Sequence, residues 1–188
     1  MKDIVKKEQK LQVRSKILEA EKALIPLVDG KNIVKGDTKV FPLEHMFVDG
    51  VYVRQMSMKK DSAVIGKIHK NEHVWFLLSG HLSVASETNV NDYMAPCYVK
   101  AAAGSKRVIY AYEDSVWVNV YPNPTNTEDL EQLEKEIIVK DYEEFEEYTM
   151  HGGDYRDSYA NRPAEENLTT PDNYEEFEEY INNKNNII

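Results

Sequence analysis

The chain has 188 residues, a net charge of −10 and one cysteine, Cys97. This length suits one domain of about 100–150 residues with flanking segments. A single cysteine excludes an internal disulfide, and the first ten residues lack the apolar stretch of a secretory signal, so we expect a protein of the reducing cytoplasm. The longest apolar runs, such as residues 74–78, are far shorter than the roughly 20 residues that cross a bilayer, and no membrane span is expected.

Charge is distributed unevenly along the chain. Residues 1–125 contain 18 Lys or Arg and 14 Asp or Glu, a net charge of +4, whereas residues 126–188 contain 5 and 19, a net charge of −14. A polyanionic C-terminal segment repels nucleic acid phosphates and stays compact only with partners or counter-charges. We therefore do not expect nucleic acid to be a ligand.

Residues 1–26 form a predicted amphipathic helix. Apolar residues recur at roughly helical spacing among Lys, Glu and Gln until Pro26 ends the pattern. The polar face mixes Glu with Lys, unlike the basic face of a membrane-surface helix. We interpret this helix as packing on the rest of the domain or on a sister subunit, and a homo-oligomer is the expected state.

Residues 39–122 consist of short runs rich in Val, Ile, Tyr and Trp, separated by turn residues. The runs lie at 50–58, 63–69, 74–78, 81–85, 93–102, 107–112 and 116–121. Strands that recur every 8–12 residues indicate a β-sandwich or barrel. In the last run, Val116, Val118 and Val120 alternate with other side chains, as expected for a strand with one buried face.

Two further segments follow the predicted barrel. Residues 125–138 predict a short helix, in which Thr125 and Glu128 have the spacing of a capping box. Residues 139–188 form an acidic, partly helical extension, with DYEEFEEY at 141–148 and NYEEFEEY at 173–180. The two copies of this motif are 32 residues apart, and Asp141 and Asn173 are suited to cap their helices.

Each copy of the motif places three aromatic side chains on one face of its predicted helix. They are Tyr142, Phe145 and Tyr148 in the first copy, and Tyr174, Phe177 and Tyr180 in the second. An isolated helix of eight residues is unstable in water, so each copy needs a surface to pack against. That surface is either the chain's own barrel or a repeated site on a symmetric partner, where two linked weak contacts gain strength through effective concentration.

The segment GKIHKNEHVWFLLSGHLSV at 66–84 resembles the first metal-binding motif of cupins, in which two His and a Glu precede a Gly at a turn. Lys67 and His69 stand at the positions of the two His, and His73 stands at that of the Glu. In the second cupin motif, Ala102, Gly104 and Arg107 correspond to the Pro-x-Gly and the downstream His. The resemblance implies an all-β, cupin-like jelly-roll barrel whose four usual ligand positions carry two imidazoles and two cations.

Residues 40–142 also resemble a group of small proteins from tailed bacteriophages and prophages. The shared patterns are LEHMFVDGVYVR at 43–54, GKIHKNEH at 66–73, AGSKRVIYAYEDSVW at 103–117 and TNTEDLEQLEKEI at 125–137. This resemblance implies the fold and a phage origin, but it implies no activity.

The sequence leaves three interpretations of Lys67, His69, His73 and Arg107 open. As a metal site, His69 and His73 would bind Fe, Mn, Zn or Ni, but a third ligand is needed, and Glu72 supplies one only if it turns inward. As a cationic site, the four side chains would bind an anionic small molecule.

The third interpretation is a structural remnant of a ligand site. Arg107 would then pair with Glu113, Asp114 or Glu44 and serve only the fold. His45, next to Glu44, would either line the site or be structural.

The absence of a Ser/His/Asp order, a phosphate-binding Gly loop and a Cys pair leaves only the barrel site to support an enzyme. Our leading hypothesis is a non-catalytic phage virion or assembly protein without a cofactor, made in the host cytoplasm, which docks to a symmetric structural partner through its aromatic repeats. The alternatives are a metal-dependent cupin enzyme, such as a dioxygenase or sugar isomerase, and a phage accessory protein that binds an anionic small molecule.

Overall fold

A computed structural model describes residues 2–24, 33–34 and 39–151. Helices in these residues span Lys2–Leu24 (α1), Leu130–Ile137 (α2) and Tyr142–Met150 (α3). The strands are Ile33–Val34 (β1), Leu43–Val48 (β2), Gly50–Met58 (β3), Ser62–Ile65 (β4), Ile68–His69 (β5), His73–Ser79 (β6), His81–Ala85 (β7), Val90–Met94 (β8), Cys97–Ala101 (β9), Val108–Ala111 (β10), Ser115–Asn123 (β11) and Ile138–Val139 (β12).

The strands form two five-stranded sheets and one short ladder. Sheet A has the order β1-β4-β10-β7-β8, sheet B has the order β2-β3-β11-β6-β9, and β12 pairs with β5. Antiparallel pairs nest along the chain, β7 with β8, β6 with β9, β4 with β10 and β3 with β11. This nesting is the jelly-roll arrangement, so the predicted all-β jelly roll is confirmed.

The apolar core lies between the two sheets. Trp75 and Trp117 stack with their ring centroids 4.0 Å apart, and Leu77, Leu82 and Ile109 surround them from both sheets. Tight turns allow the sheets to close around this core. Gly80 joins β6 to β7 at φ +90, where a Cβ atom would collide with the backbone of Asp114 and Ser115.

Strand β11 alternates as predicted, and the structure shows which side is buried. Trp117, Asn119 and Tyr121 point between the sheets, whereas the valines lie on the outer face of sheet B. The valines therefore form part of an apolar surface on the outside of the sandwich.

Helix α1 packs on the outer face of sheet A. Ile17 is buried against Ala85, Val90 and Val108. The sequence left open whether this helix packs on its own domain or on a sister subunit, and in the structure it packs on its own barrel. Within the described residues, no helix is both long and apolar enough to cross a membrane.

Helix α2 begins later than the sequence predicted. The capping box of Thr125 and Glu128 was wrong, because the N-cap is Asp129, whose carboxylate accepts hydrogen bonds from the backbone N–H groups of residues 131 and 132. The Thr125 hydroxyl instead donates to Asn123 at 3.3 Å. From this later start, α2 places Leu133 against Tyr52 and Tyr121 at one end of the barrel.

Helix α3 is the first copy of the aromatic motif, and Asp141 caps it as predicted. Its aromatic side chains contact the chain's own barrel. The Tyr142 hydroxyl donates to Glu87 Oε1 at 2.6 Å, and the Tyr148 hydroxyl lies 3.4 Å from Asn71 Oδ1. Phe145 lies against Gly104, where φ is +70 and any Cβ atom would overlap the ring. The second copy, with Tyr174, Phe177 and Tyr180, lies outside the described residues.

We expect Phe145→Ala to lower the melting temperature of the isolated protein. The ring is half-buried on Gly104, so the cost should be about half of the ~3–5 kcal/mol of a fully buried Phe, or several degrees for a chain of this size. Met150→Ala, at the exposed end of the same helix, is the control and should change little. Equal melting temperatures for both variants, measured by calorimetry, would contradict the packing of α3 on the barrel.

Candidate functional site

The structure brings His69 and His73 together inside the barrel. His69 ends β5 and His73 begins β6, and the intervening turn places their ring centroids 4.4 Å apart. Their exposed fractions are only 6% and 5%. The pair therefore lies in an environment where each ring nitrogen needs a partner.

Tyr121 connects His69 to a guanidinium. The Tyr121 hydroxyl lies 3.0 Å from His69 Nε2, and Arg54 Nη2 donates to the same hydroxyl at 3.0 Å. The guanidinium can only donate, so the Tyr121 oxygen accepts from it, and the buried Tyr121 O–H then finds its acceptor in His69 Nε2. His69 therefore carries its proton on Nδ1, and this buried N–H has no hydrogen-bond partner among the described residues.

His73 presents the opposite kind of group. Its Nδ1 lies 3.4 Å from the backbone oxygen of Asn71, which can only accept, so Nδ1 carries the proton. Nε2 is then an unprotonated acceptor that is buried without a hydrogen bond of normal geometry, but the Asn119 side chain lies close enough to raise the pKa of His73 against the larger effect of burial. The two imidazoles thus offer a donor at His69 Nδ1 and, beside the Asn119 side chain, an acceptor at His73 Nε2.

Arg107 provides a buried positive charge in the same region. The residue is 8% exposed and comes just before β10, with Ile109 and Ala111 of the core at the following alternate positions. Its Nη2 donates to Ser105 Oγ at 2.6 Å, and no carboxylate of the described residues lies within ion-pair distance of it. The preceding loop is held to the His strand, since the Gly104 N–H donates to the His69 carbonyl at 2.8 Å.

The electrostatics keep both imidazoles neutral. Burial lowers the pKa of His69 well below its usual range, and repulsion from a protonated His73 and from the charges of Arg107 and Arg54 lowers it further. Burial, followed by the charge of Arg107, lowers the pKa of His73 to about 3. The pKa of Arg107 is also lowered by burial, with Glu87 opposing that effect, but a guanidinium stays charged at neutral pH.

Lys67 does not belong to this cluster, which corrects the sequence prediction. Its ammonium group forms an ion pair with Glu134 of α2 at the half-exposed surface. Residue 67 lies before the two-residue strand β5, so strand alternation does not hold its side chain on the same side as that of His69.

The other expected contributors also point elsewhere. Glu72 forms an ion pair with Lys100 at 2.9 Å and does not turn inward. Asp114 contacts Lys59, not Arg107. His45 is exposed, and its Nδ1 lies 2.7 Å from the Tyr52 hydroxyl.

Sequence reasoning missed Arg54, Asn119 and Tyr121. Arg54 and Asn119 are paired across β3 and β11, and all three side chains take inward positions on their strands. The alternation of β11 could have identified Asn119 and Tyr121, because both side chains face inward if the valines of this strand face outward. Arg54 then replaces Lys67 as the second cation of the site.

A metal ion of the kind that cupins bind does not fit these residues. The two imidazoles supply one unprotonated and unpartnered nitrogen, because His69 Nε2 is occupied by Tyr121. No group of three His, Cys, Asp or Glu side chains in the described part of the chain is arranged to hold a metal. Two guanidinium groups also repel a divalent cation in a poorly screened interior.

Comparisons with solved structures find similar folds. A cupin-2 domain-containing protein from Shewanella frigidimarina has 12% identity and a TM-score of 0.36, over 43% of this chain and 80% of that chain. A cupin-2 protein from Halorhodospira halophila has 13% identity and a TM-score of 0.40, over 53% and 77%. The EutQ protein of Clostridium difficile has 14% identity and a TM-score of 0.37, over 43% and 66%.

A scan against protein-family models and a search of curated proteins find no match. The assignment to the jelly-roll class, which includes cupins, therefore rests on the strand order of this chain.

We expect the free energy of unfolding to fall as the pH drops from about 6.5 towards 3. The unfolded chain binds protons at its imidazoles in this range, whereas the folded chain does not, because the pKa of both His69 and His73 is lowered. His73→Gln should reduce the slope by up to about 1.4 kcal/mol per pH unit between pH 6 and 4. His151→Gln, at the exposed end of α3, is the matched control substitution. An unchanged slope in His73→Gln, measured by urea denaturation, would mean that His73 is charged in the fold.

We also expect protein purified without added metal to contain well under one equivalent of Fe, Mn, Ni or Zn. The reason is the single free ligand nitrogen between two guanidinium groups. Elemental analysis provides the measurement. A stoichiometric metal that disappears in His69→Ala and in His73→Ala would overturn this conclusion.

Proposed function

We propose that the barrel binds a small oxyanion that carries a hydroxyl group, and that it acts as a binding protein. The observation that supports this proposal is the Arg107 guanidinium, which is buried without a carboxylate partner among the described residues. A buried charge without a carboxylate in contact is costly, and Glu87 offsets this cost only from a distance, so an anionic ligand would lower it further. A guanidinium also offers two parallel N–H groups to a carboxylate or phosphate.

The imidazoles favour a ligand with two kinds of polar group. The free Nδ1–H of His69 would donate to an anionic oxygen, as Arg107 does. The Nε2 atom of His73, which has no hydrogen bond of normal geometry and lies near Asn119, would accept from a hydroxyl of the ligand. Hydroxycarboxylates and hydrogen phosphate share this chemistry, since each has an anionic oxygen and an O–H group.

This proposal corresponds to one of the alternatives from the sequence, an accessory protein that binds an anionic small molecule. It is favoured over a metal-dependent enzyme because the donor set does not suit a metal. A phage origin, and docking to a virion or assembly partner, remain predictions. The contacts of α3 with the chain's own barrel leave only the second motif copy, at 173–180, to support docking.

Thermal shift and calorimetric titrations with matched anion pairs test the proposal. Malate should stabilise the protein more than succinate, or hydrogen phosphate more than sulfate, because only the first member of each pair carries a hydroxyl. The pair that responds identifies the ligand class. Stabilisation should follow ligand concentration relative to Kd, reaching about 2.7 kcal/mol at 100 Kd.

Arg107→Gln should weaken binding by about 10- to 150-fold, as expected for a lost charged hydrogen bond of ~1.5–3 kcal/mol. Lys67→Gln is the matched control, since it removes a cation outside the barrel and should bind like the wild type. If no member of either pair binds, or if Arg107→Gln binds equally well, the proposal is wrong.

A further inference from the structure

The outer face of sheet B carries apolar side chains on all five strands, and the polar Gln55 and Ser57 lie at one end of β3. The side chains on this face are Met46 and Val48 from β2, Val51 and Val53 from β3, Val116, Val118 and Val120 from β11, Val74, Phe76 and Leu78 from β6, and Tyr98 from β9. Several of them are strongly exposed, with fractions of 75% for Tyr98, 60% for Met46 and 55% for both Val48 and Leu78. We call this surface the valine face.

The valine face differs from the outer face of sheet A. Helix α1 covers sheet A with Ile17, whereas the exposure of Tyr98 and Leu78 leaves the valine face open to solvent. Five strands at about 4.8 Å spacing and six residues at about 3.3 Å give a projected area of roughly 500 Å². Soluble monomers rarely expose a contiguous apolar surface of this size without using it for association.

We propose that the valine face is the interface between two copies of this chain. Each partner of a standard interface buries about 800 Å² of accessible surface. The valine face has a projected area of roughly 500 Å², and the accessible area of a surface with protruding side chains is larger than its projection. A two-fold axis brings the same patch of both copies together, and two sheets pack well face to face at about 10 Å. The absence of charge from the centre of the face matches the composition of homodimer interfaces.

Two charged side chains at opposite edges of the valine face also suit a second copy, although one of them, Lys100, already pairs with Glu72 of its own chain. Glu44 lies on β2, at one edge of sheet B, and Lys100 lies on β9, at the opposite edge. A two-fold axis parallel to the central strand β11 places the β2 edge of one copy over the β9 edge of the other. Each Glu44 then comes near the edge that carries Lys100, and the arrangement occurs twice.

The C-terminal residues 152–188 are a poorer occupant. They contain nine acidic and three basic residues, so apart from the three aromatic side chains of the second motif copy, covering the valine face with them would desolvate carboxylates without counter-charges. A second valine face has no such cost.

Light scattering coupled to size exclusion, and sedimentation velocity, test the dimer with the full chain. The wild type should have twice the monomer mass of 21.7 kDa at micromolar concentration. Leu78→Lys should weaken dimerisation by at least about 100-fold, since it buries an unpaired charge. Leu11→Lys on α1 is a matched control, because Leu11 is 50% exposed and the substitution is the same. Circular dichroism should show both variants folded.

Each other outcome contradicts the proposal. A monomeric wild type, or a dimer that Leu78→Lys leaves intact, shows that the valine face is not the interface. A dimer lost in Leu11→Lys but kept in Leu78→Lys assigns the contact to α1. A wild type that becomes dimeric only after deletion of residues 152–188 shows that the tail covers the face. If Leu78→Lys does not fold, Val74→Lys provides the same test on the same face.

Discussion

The hydrogen-bond chain from Arg54 through Tyr121 to His69 is the interaction on which the site depends. It joins β3, β11 and β5, and each bond is 3.0 Å long. Arg54 can only donate to the Tyr121 oxygen, and the buried Tyr121 O–H is satisfied when it donates to His69 Nε2, which assigns the proton of His69 to Nδ1. Without these two hydrogen bonds, nothing would hold the proton of His69 on Nδ1. The proposed donor to an anion would then be lost.

The segment that follows the barrel positions the rest of the site. Strand β12 pairs with β5, so that Ile138 lies opposite His69, and the Lys70 N–H donates to the Ile137 carbonyl at 2.7 Å. Helix α3 contacts Asn71 near His73 and Gly104 near Arg107. Helix α3 therefore supports both loops that carry the polar side chains. If α3 loses its aromatic contacts, we expect these two loops to shift and to displace His73 and Arg107 with them.

The fold was predictable because its signals are local. Strand spacing and turn residues indicated a sandwich or barrel, and the cap at Asp141 indicated the start of α3. His69, His73 and Arg107 were placed correctly in one cluster. Lys67 was misplaced, since spacing alone does not tell which side of a two-residue strand faces inward.

The remaining parts of the site could not be predicted from local patterns. Arg54 and Asn119 meet only through the register of β3 with β11, which joins residues 65 positions apart. A polar residue on a strand normally faces solvent, and a valine normally faces the core, so β11 suggests the wrong side. The N-cap of α2 is Asp129 and not Thr125, because the packing of Leu133 on Tyr121 determines where the helix begins.

The protonation of His69 is the most direct test of this account. Long-range proton–nitrogen NMR spectra of protein labelled with nitrogen-15 at histidine distinguish the two neutral tautomers from the imidazolium. At pH 7 we predict a neutral His69 with its proton on Nδ1 and none on Nε2, and a shift of the Nδ1 resonance when the preferred hydroxylated anion is added. A proton on Nε2, or a charged imidazolium at pH 7, would contradict the hydrogen-bond chain and the anion site that depends on it.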